Sequence, residues 1–275
     1  MAITLLTGVP RSGTTLCCYL LNECHNTVAL HEPISPGSFV GSRKDAIESI
    51  VQFCASAGLQ VLAKKIVPTK QYGGKLPTNP VSSENSGLRK EIVKLGDMKV
   101  EKKLDEDFTL VIKHNALFSA LLEELVGAFE VYAVIRNPLA VLVSWQTVDL
   151  PVYSGHIPMG EKFDAELTSR LATKNSVLDR QLVLLSWFFK RYDELIDLSH
   201  IIRYEELIAS NGECLQTISK KPLEVETRLD AQTQVARISA EQLTTLRDAL
   251  LSSPNVAEPF YSSSEIEAEY LRLRA

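Results

Sequence analysis

Hydrophobic positions along the chain follow two alternating rhythms. Short apolar runs of strand length recur at residues 3–7, 28–30, 61–67, 108–113, 129–135 and 200–203. Between them, apolar residues return every three or four positions, the spacing of a helix with one buried face. Leu16, Leu20 and Cys24 form such a stripe within 14–24, and Ile47, Ile50, Val51 and Cys54 form another within 43–57. Further helices are expected at 117–126, 138–148, 165–195 and 205–209, followed by a charged, helical remainder that ends with 264–274. Asn137 and Pro138 give the 138–148 helix a cap and a first-turn proline. The strongly apolar run 129–135 suits a strand at the centre of a parallel sheet, covered on both faces.

Strand and helix in alternation predict an α/β fold of three layers, a central parallel sheet with helices on both faces. Ligands of such sheets bind outside the carboxyl ends of the strands. The chain reads as one domain over 1–275. Residues 68–106 are polar and rich in Gly, Pro and Ser, and are expected to form a lid or insertion with a helix at 88–95. Residues 149–164 read as a loop.

With 45% hydrophobic residues in 275, the chain can bury a sizeable core. Its net charge of -5 argues against a general nucleic-acid binder and leaves room for a local basic pocket. No run approaches the roughly 18 apolar residues of a membrane span. The longest, 131–145, is broken by Arg136, Asn137 and Pro138. The N-terminus lacks the basic region of a signal peptide. The 5 cysteines are odd in number and form no C-x-x-C pair, so a reduced, cytoplasmic protein with cysteines as small buried hydrophobes is expected. His25 and His31, near Cys24, fit no common zinc spacing, and no metal site is expected. Trp187, Phe188 and Phe189 read as core. The pairs Glu123–Glu124 and Lys102–Lys103 read as solvated faces.

The first chemical signal follows the first strand. Gly8 and Gly13 bound a loop that runs into a helix, and a helix N-terminus there would present free N–H groups to an anion. The spacing is that of a nucleoside-triphosphate loop, G-x-x-x-x-G-K-[ST], yet Thr14 stands where the lysine belongs. Arg11 instead carries the charge, and Ser12, Thr14 and Thr15 add hydroxyl donors. The second signal is Arg136, at the end of the 129–135 strand, with Ser144 on the next helix. Nucleotide hydrolases want an Asp at such a strand end to hold Mg²⁺. An arginine suits a second phosphate.

Together these residues resemble the sulfotransferases that use 3′-phosphoadenosine 5′-phosphosulfate (PAPS) and release 3′,5′-bisphosphorylated adenosine (PAP). In that family a Pro-(Lys/Arg)-Ser-Gly-Thr-Thr loop holds the 5′-phosphosulfate, matched by Pro10, Arg11, Ser12, Gly13, Thr14 and Thr15. An Arg and a Ser eight positions apart hold the 3′-phosphate, matched by Arg136 and Ser144. The stretch from Arg203 through Tyr204, Glu205 and Glu206 to Leu207 resembles a strand-end segment whose tyrosine lies near the adenine. The resemblance touches residues 3–32, 108–148 and 185–208, and the C-terminal Arg-Lys-Gly loop of the cytosolic phenol and steroid enzymes is missing. It implies sulfuryl transfer from PAPS, without a metal, to a hydroxyl or amine of a small-molecule, glycan or peptide acceptor.

Such a transfer needs a base for the acceptor proton. Glu32, after the second strand, resembles the base of the glutamate branch, which includes the tyrosylprotein and several bacterial enzymes. His114, after the 108–113 strand, is the other candidate, displaced by one position from the histidine of the cytosolic branch. Lys113 is placed to touch the transferring group. Residues 33–41, 68–106 and 149–164 are left to build the acceptor pocket. Two other readings stay open: a P-loop small-molecule kinase and a nucleotide-binding module without activity. Oligomeric state is not legible.

Overall fold

A computed structural model describes residues 1–39, 41–83, 87–221, 223, 228–231 and 235–275. The strands are β1 (Ala2–Gly8), β2 (Thr27–His31), β3 (Ile66–Gln71), β4 (Lys94–Lys99), β5 (Thr109–Lys113), β6 (Glu130–Ile135) and β7 (Ile201–Arg203). Five of them pair in parallel in the order β2-β5-β1-β6-β7. β1 holds the centre, and β6 lies one place from it. Every residue of β5 is buried, as is β6 from Val131 on, which fits strands sandwiched between helix layers.

The helices are α1 (Thr14–Glu23), α2 (Arg43–Lys64), α3 (Asn115–Ala120), α4 (Leu122–Leu125), α5 (Pro138–Trp145), α6 (Pro158–Phe163), α7 (Ala165–Ala172), α8 (Val177–Leu195), α9 (Tyr204–Ala209), α10 (Gln216–Ser219), α11 (Ala240–Leu251) and α12 (Ser263–Arg274). Several begin with the cap their sequence supplies. Asn137 accepts from the Leu139 N–H ahead of Pro138, and Ser176 accepts from Asp179. Ser42 with Asp45, Ser239 with Gln242 and Ser262 with Glu265 form reciprocal capping boxes. Trp187, Phe188 and Phe189 are buried on α8, as expected, and so are Cys17, Cys18, Cys24 and Cys54.

Several expected elements differ. The helix expected at 43–57 continues to Lys64, so residues 61–64 are helical and the strand starts only at Ile66. The helical stripe persists through Ile50, Cys54, Ala57 and Val61 and stops at Lys65, whose φ of 52° is left-handed. By length and composition α2 could cross a membrane, although no unbroken apolar run reveals it. No helix forms at 88–95. Instead β4 pairs antiparallel with β3, and Arg89 bridges to Val148. The 117–126 helix breaks at Leu121 into α3 and α4, and the 165–195 helix breaks ahead of Ser176. Helix α5 stops at Trp145, short of 148, and residues 149–164 hold a 3-10 turn (Pro151–Ser154) and α6. Within the helical remainder expected after 209, residues 222, 224–227 and 232–234 lie outside the described residues.

Two of the charged pairs do more than face water. Lys102 Nζ donates to the Asn22, Cys24 (3.1 Å) and Thr27 (2.7 Å) carbonyls, closing the C-terminal end of α1. Glu124 takes both arms of Arg43, at 2.9 and 2.8 Å.

The loop after β1 depends on a close approach. A Cβ on Gly8 would lie 2.5 Å from the Val134 carbonyl oxygen, which belongs to the sheet backbone and cannot yield. Gly8→Ala is expected to cost about 1–3 kcal/mol by overpacking. Urea unfolding midpoints of the two proteins check this.

Candidate functional site

The carboxyl ends of all five parallel strands meet one cavity of ≈ 700 Å³. Along the sheet edge they contribute Glu32 after β2, Lys113 and His114 from β5, Arg11 after β1, Arg136 after β6 and Tyr204 after β7. The sequence named each of these residues separately, and the topology sets them side by side.

The β1–α1 loop is pinned from below. Val134 O accepts from Val9 N (3.1 Å) and from Ser12 Oγ (2.8 Å), while Trp145 Nε1 donates to Pro10 O (2.8 Å). Ser12 is therefore fully buried and spends its hydroxyl on the sheet, away from the cavity. Arg11 and Gly13 adopt φ of 75° and 95°, left-handed values that turn the chain sharply into α1. No side chain caps α1, and Thr14 and Thr15 of its first turn line the cavity.

Gly13 packs on the ring of Tyr204, which a Cβ at this position would meet at 2.6 Å. The Arg136 guanidinium lies 4.2 Å from the centre of the same ring. Tyr204 is thus wedged between the loop and Arg136. Ser144 sits behind Arg11 and accepts from its Nε at 3.2 Å, so the two sequence motifs touch. Asn79 Oδ1 accepts from Arg11 Nη2 at 3.1 Å.

This side of the cavity is strongly positive. Burial first, then Arg89 and Arg136, pull Arg11 down to about 9. Neither Arg11 nor Arg89 has a carboxylate partner among the described residues. Arg89 is 3% exposed, donates to Thr147 Oγ1 at 2.7 Å and has an unpartnered Nε. Buried cations held together without counter-charge make a strong anion site.

The other side is an ion-pair chain. Lys113 Nζ reaches Glu32 Oε1 at 2.8 Å, Lys70 Nζ reaches Oε2 at 2.9 Å, and Lys70 also pairs with Glu91 at 2.8 Å. Glu32 has a φ of 44°, an uncommon backbone state for a non-glycine residue. Burial alone would raise its pKa, but Lys113, His31 and Lys70 outweigh burial and hold it well below the usual carboxylate range. His114 Nε2 accepts from the Ile34 N–H at 3.3 Å, which leaves its ring proton on Nδ1. Burial lowers His114 to about 3, the nearby Glu32 opposing the shift.

Sequence reading missed Lys70, Asn79, Arg89 and Glu91, all from 68–106, and Arg228, which reaches the cavity from near the C-terminus. Only the hairpin register turns Lys70 toward Glu32, and no motif marks it. The three segments left for an acceptor pocket all line the cavity, through Ile34, through Lys70 with Thr78, and through Leu150 with Met159. No cluster of three or more metal-ligating side chains occurs among the described residues. No protein-family model matches the chain, and no curated protein matches it.

Buried neutral histidines give the fold an acid limb. The folded state holds His114 and His31 below 6.5, so the unfolded chain binds more protons under that pH. Stability is expected to be complete above about pH 6.5 and to fall by up to about 1.4 kcal/mol per pH unit for each histidine below it. Urea titrations at pH 7.5 and 5.0 measure the loss, and His114→Gln makes it shallower.

Proposed function

We propose that this protein transfers a sulfuryl group from PAPS to an acceptor hydroxyl. The observation that carries the reading is the shared cavity of Arg11 and Arg136, with Tyr204 wedged between the β1–α1 loop at Gly13 and Arg136. Their strands β1 and β6 are direct neighbours, about 4.8 Å apart. Two cations so placed suit one adenosine with phosphates at both its 5′ and 3′ positions. A lysine-less loop and an arginine at the end of β6 disfavour an ordinary P-loop kinase, which needs a lysine and a strand-end Asp.

In this reading the β1–α1 loop is a phosphate cradle. The backbone at Gly13 and the hydroxyls of Thr14 and Thr15 face the 5′-phosphosulfate, and Ser12 keeps the loop on the sheet. Arg136 and Ser144 serve the 3′-phosphate, Ser144 after Arg11 turns from it to the ligand. Tyr204 borders the adenine. Phosphoryl transfer passes through a loose transition state, and sulfuryl transfer is its analogue, so positioning and charge neutralisation dominate. Arg11 stabilises the charge that gathers on the bridging oxygen as its bond to sulfur breaks.

Glu32 is the base. It takes the acceptor proton as the acceptor oxygen bonds to sulfur, and PAP leaves with the electrons of the broken bond. His114 is less suited, because the Ile34 N–H occupies its Nε2 lone pair. Between two ammonium groups Glu32 is a weak base. An anionic ligand that draws Lys113 away removes one of the cations depressing it, and its basicity rises.

Calorimetry tests the donor assignment. PAP is expected to bind, and Arg136→Ala to weaken it about 10- to 100-fold, with little effect on adenosine 5′-phosphosulfate, which lacks the 3′-phosphate. Failure of PAP to bind the unaltered protein ends the proposal. Glu32→Gln is expected to lower turnover about 10²- to 10⁴-fold with PAP affinity kept. Equal activity in that variant moves the base to His114.

A further inference from the structure

Helix α2 carries two apolar stripes. The inner one, Ile50, Cys54, Ala57 and Val61, is buried against the rest of the fold. The outer one runs through Glu48, Val51, Ala55, Leu59 and Leu62, all exposed, at the three- and four-residue spacing that keeps to one helix face. Val51 is 43%, Leu59 68% and Leu62 42% open to solvent. No charged residue occurs from Ser49 to Ala63, and Gln52, Ser56 and Ala63 flank the stripe. A surface helix ordinarily turns charged residues outward. An apolar face left outside marks a place where something else packs.

The two ends of the stripe differ in charge. Asp45 and Glu48 lie at its start, and Lys64 and Lys65 close it, all four exposed. Arg43 is taken up by Glu124, and Lys44, 3.9 Å from Glu48, balances one of the two carboxylates.

We propose that a second copy of this chain docks on the outer face of α2, the two helices running antiparallel across a two-fold axis. One patch then serves both sides of the contact. With the axis beside residues 56 and 57, Val51 lies level with the partner's Leu62, and Ala55 with the partner's Leu59. A small side chain so meets a large one at the middle of the contact. The same register sets Glu48 level with the partner's Lys65 and opposes the two helix dipoles. A parallel pair would bring lysine against lysine and carboxylate against carboxylate. A helix that lies on lipid wants Lys and Arg beside its apolar face, where α2 has Gln52 and Ser56. The 22 residues of α2 span about 33 Å, and a contact along one such face is small for a specific interface, so the dimer is weak and reversible. This pairing is independent of what the cavity binds.

Sedimentation equilibrium of the full chain, carried to high micromolar concentration, is the test. A reversible monomer–dimer equilibrium is expected. Leu59→Lys is expected to raise the dimer dissociation constant at least about 10-fold, with the urea midpoint kept because the side chain it replaces is exposed. Glu48→Lys is expected to weaken the dimer about three- to tenfold by setting like charges together, and the further change Lys65→Glu to restore it. A monomer at every concentration, a dimer that Leu59→Lys leaves intact, or charge variants whose effects add instead of cancelling each overturn the proposal. So does flotation of the monomer with phosphatidylcholine vesicles, which assigns the face to a lipid surface.

Discussion

Parallel pairing is the constraint from which the rest of the molecule follows. When five strands run the same way, all of them finish on one edge, and whatever follows each strand must share that edge. Residues as far apart in the chain as Glu32, His114 and Tyr204 come to line one cavity for this reason. The backbone of Gly8 against the Val134 carbonyl then decides how low the first loop sits on the sheet. That height lets Gly13 reach the face of Tyr204.

Charge is arranged along this edge in an order that matters. After β1, Arg11 stands with nearby Arg89, neither with a carboxylate of its own among the described residues, and burial and like-charged neighbours pull both below the usual arginine value. Toward β2 the charges alternate through Glu91, Lys70, Glu32 and Lys113, so that end is balanced before any ligand enters. The same cavity therefore has one end rich in positive charge and one end where carboxylates and ammonium groups alternate. In the proposed reading this asymmetry suits an anionic donor at the first end and a neutral acceptor at the second.

How much of this was legible in the sequence depends on the range of the forces involved. The strands of the central sheet showed because each is a local apolar run, and Asn137–Pro138 showed because capping is local chemistry. Arg11 and Arg136 showed because their neighbours formed patterns. The β3–β4 hairpin did not show. Its register joins residues some thirty positions apart, and the helical stripe of α2 ran on into the residues read as its first strand. Lys70 and Arg89 were hidden with it, since a lone basic residue in a polar stretch looks like any solvated side chain. Lys102, read as solvent-facing, serves the turn from α1 into β2 because the carbonyls of Asn22, Cys24 and Thr27 converge there, a convergence visible only in three dimensions.

The hairpin meets the sheet in an unusual way. At the outer edge of β2, the hydroxyl of Thr69 accepts from the amide of His31 at 2.8 Å and donates to its carbonyl at 3.3 Å. For the length of one residue a side chain impersonates an adjoining strand, and an open β edge is a template on which other chains can grow. Lys70, the next residue, is the one that grips Glu32. Peeling the hairpin back would unveil the border of β2 and take Lys70 from the carboxylate in one stroke, so the cover of the sheet edge and the setting of Glu32 are a single contact.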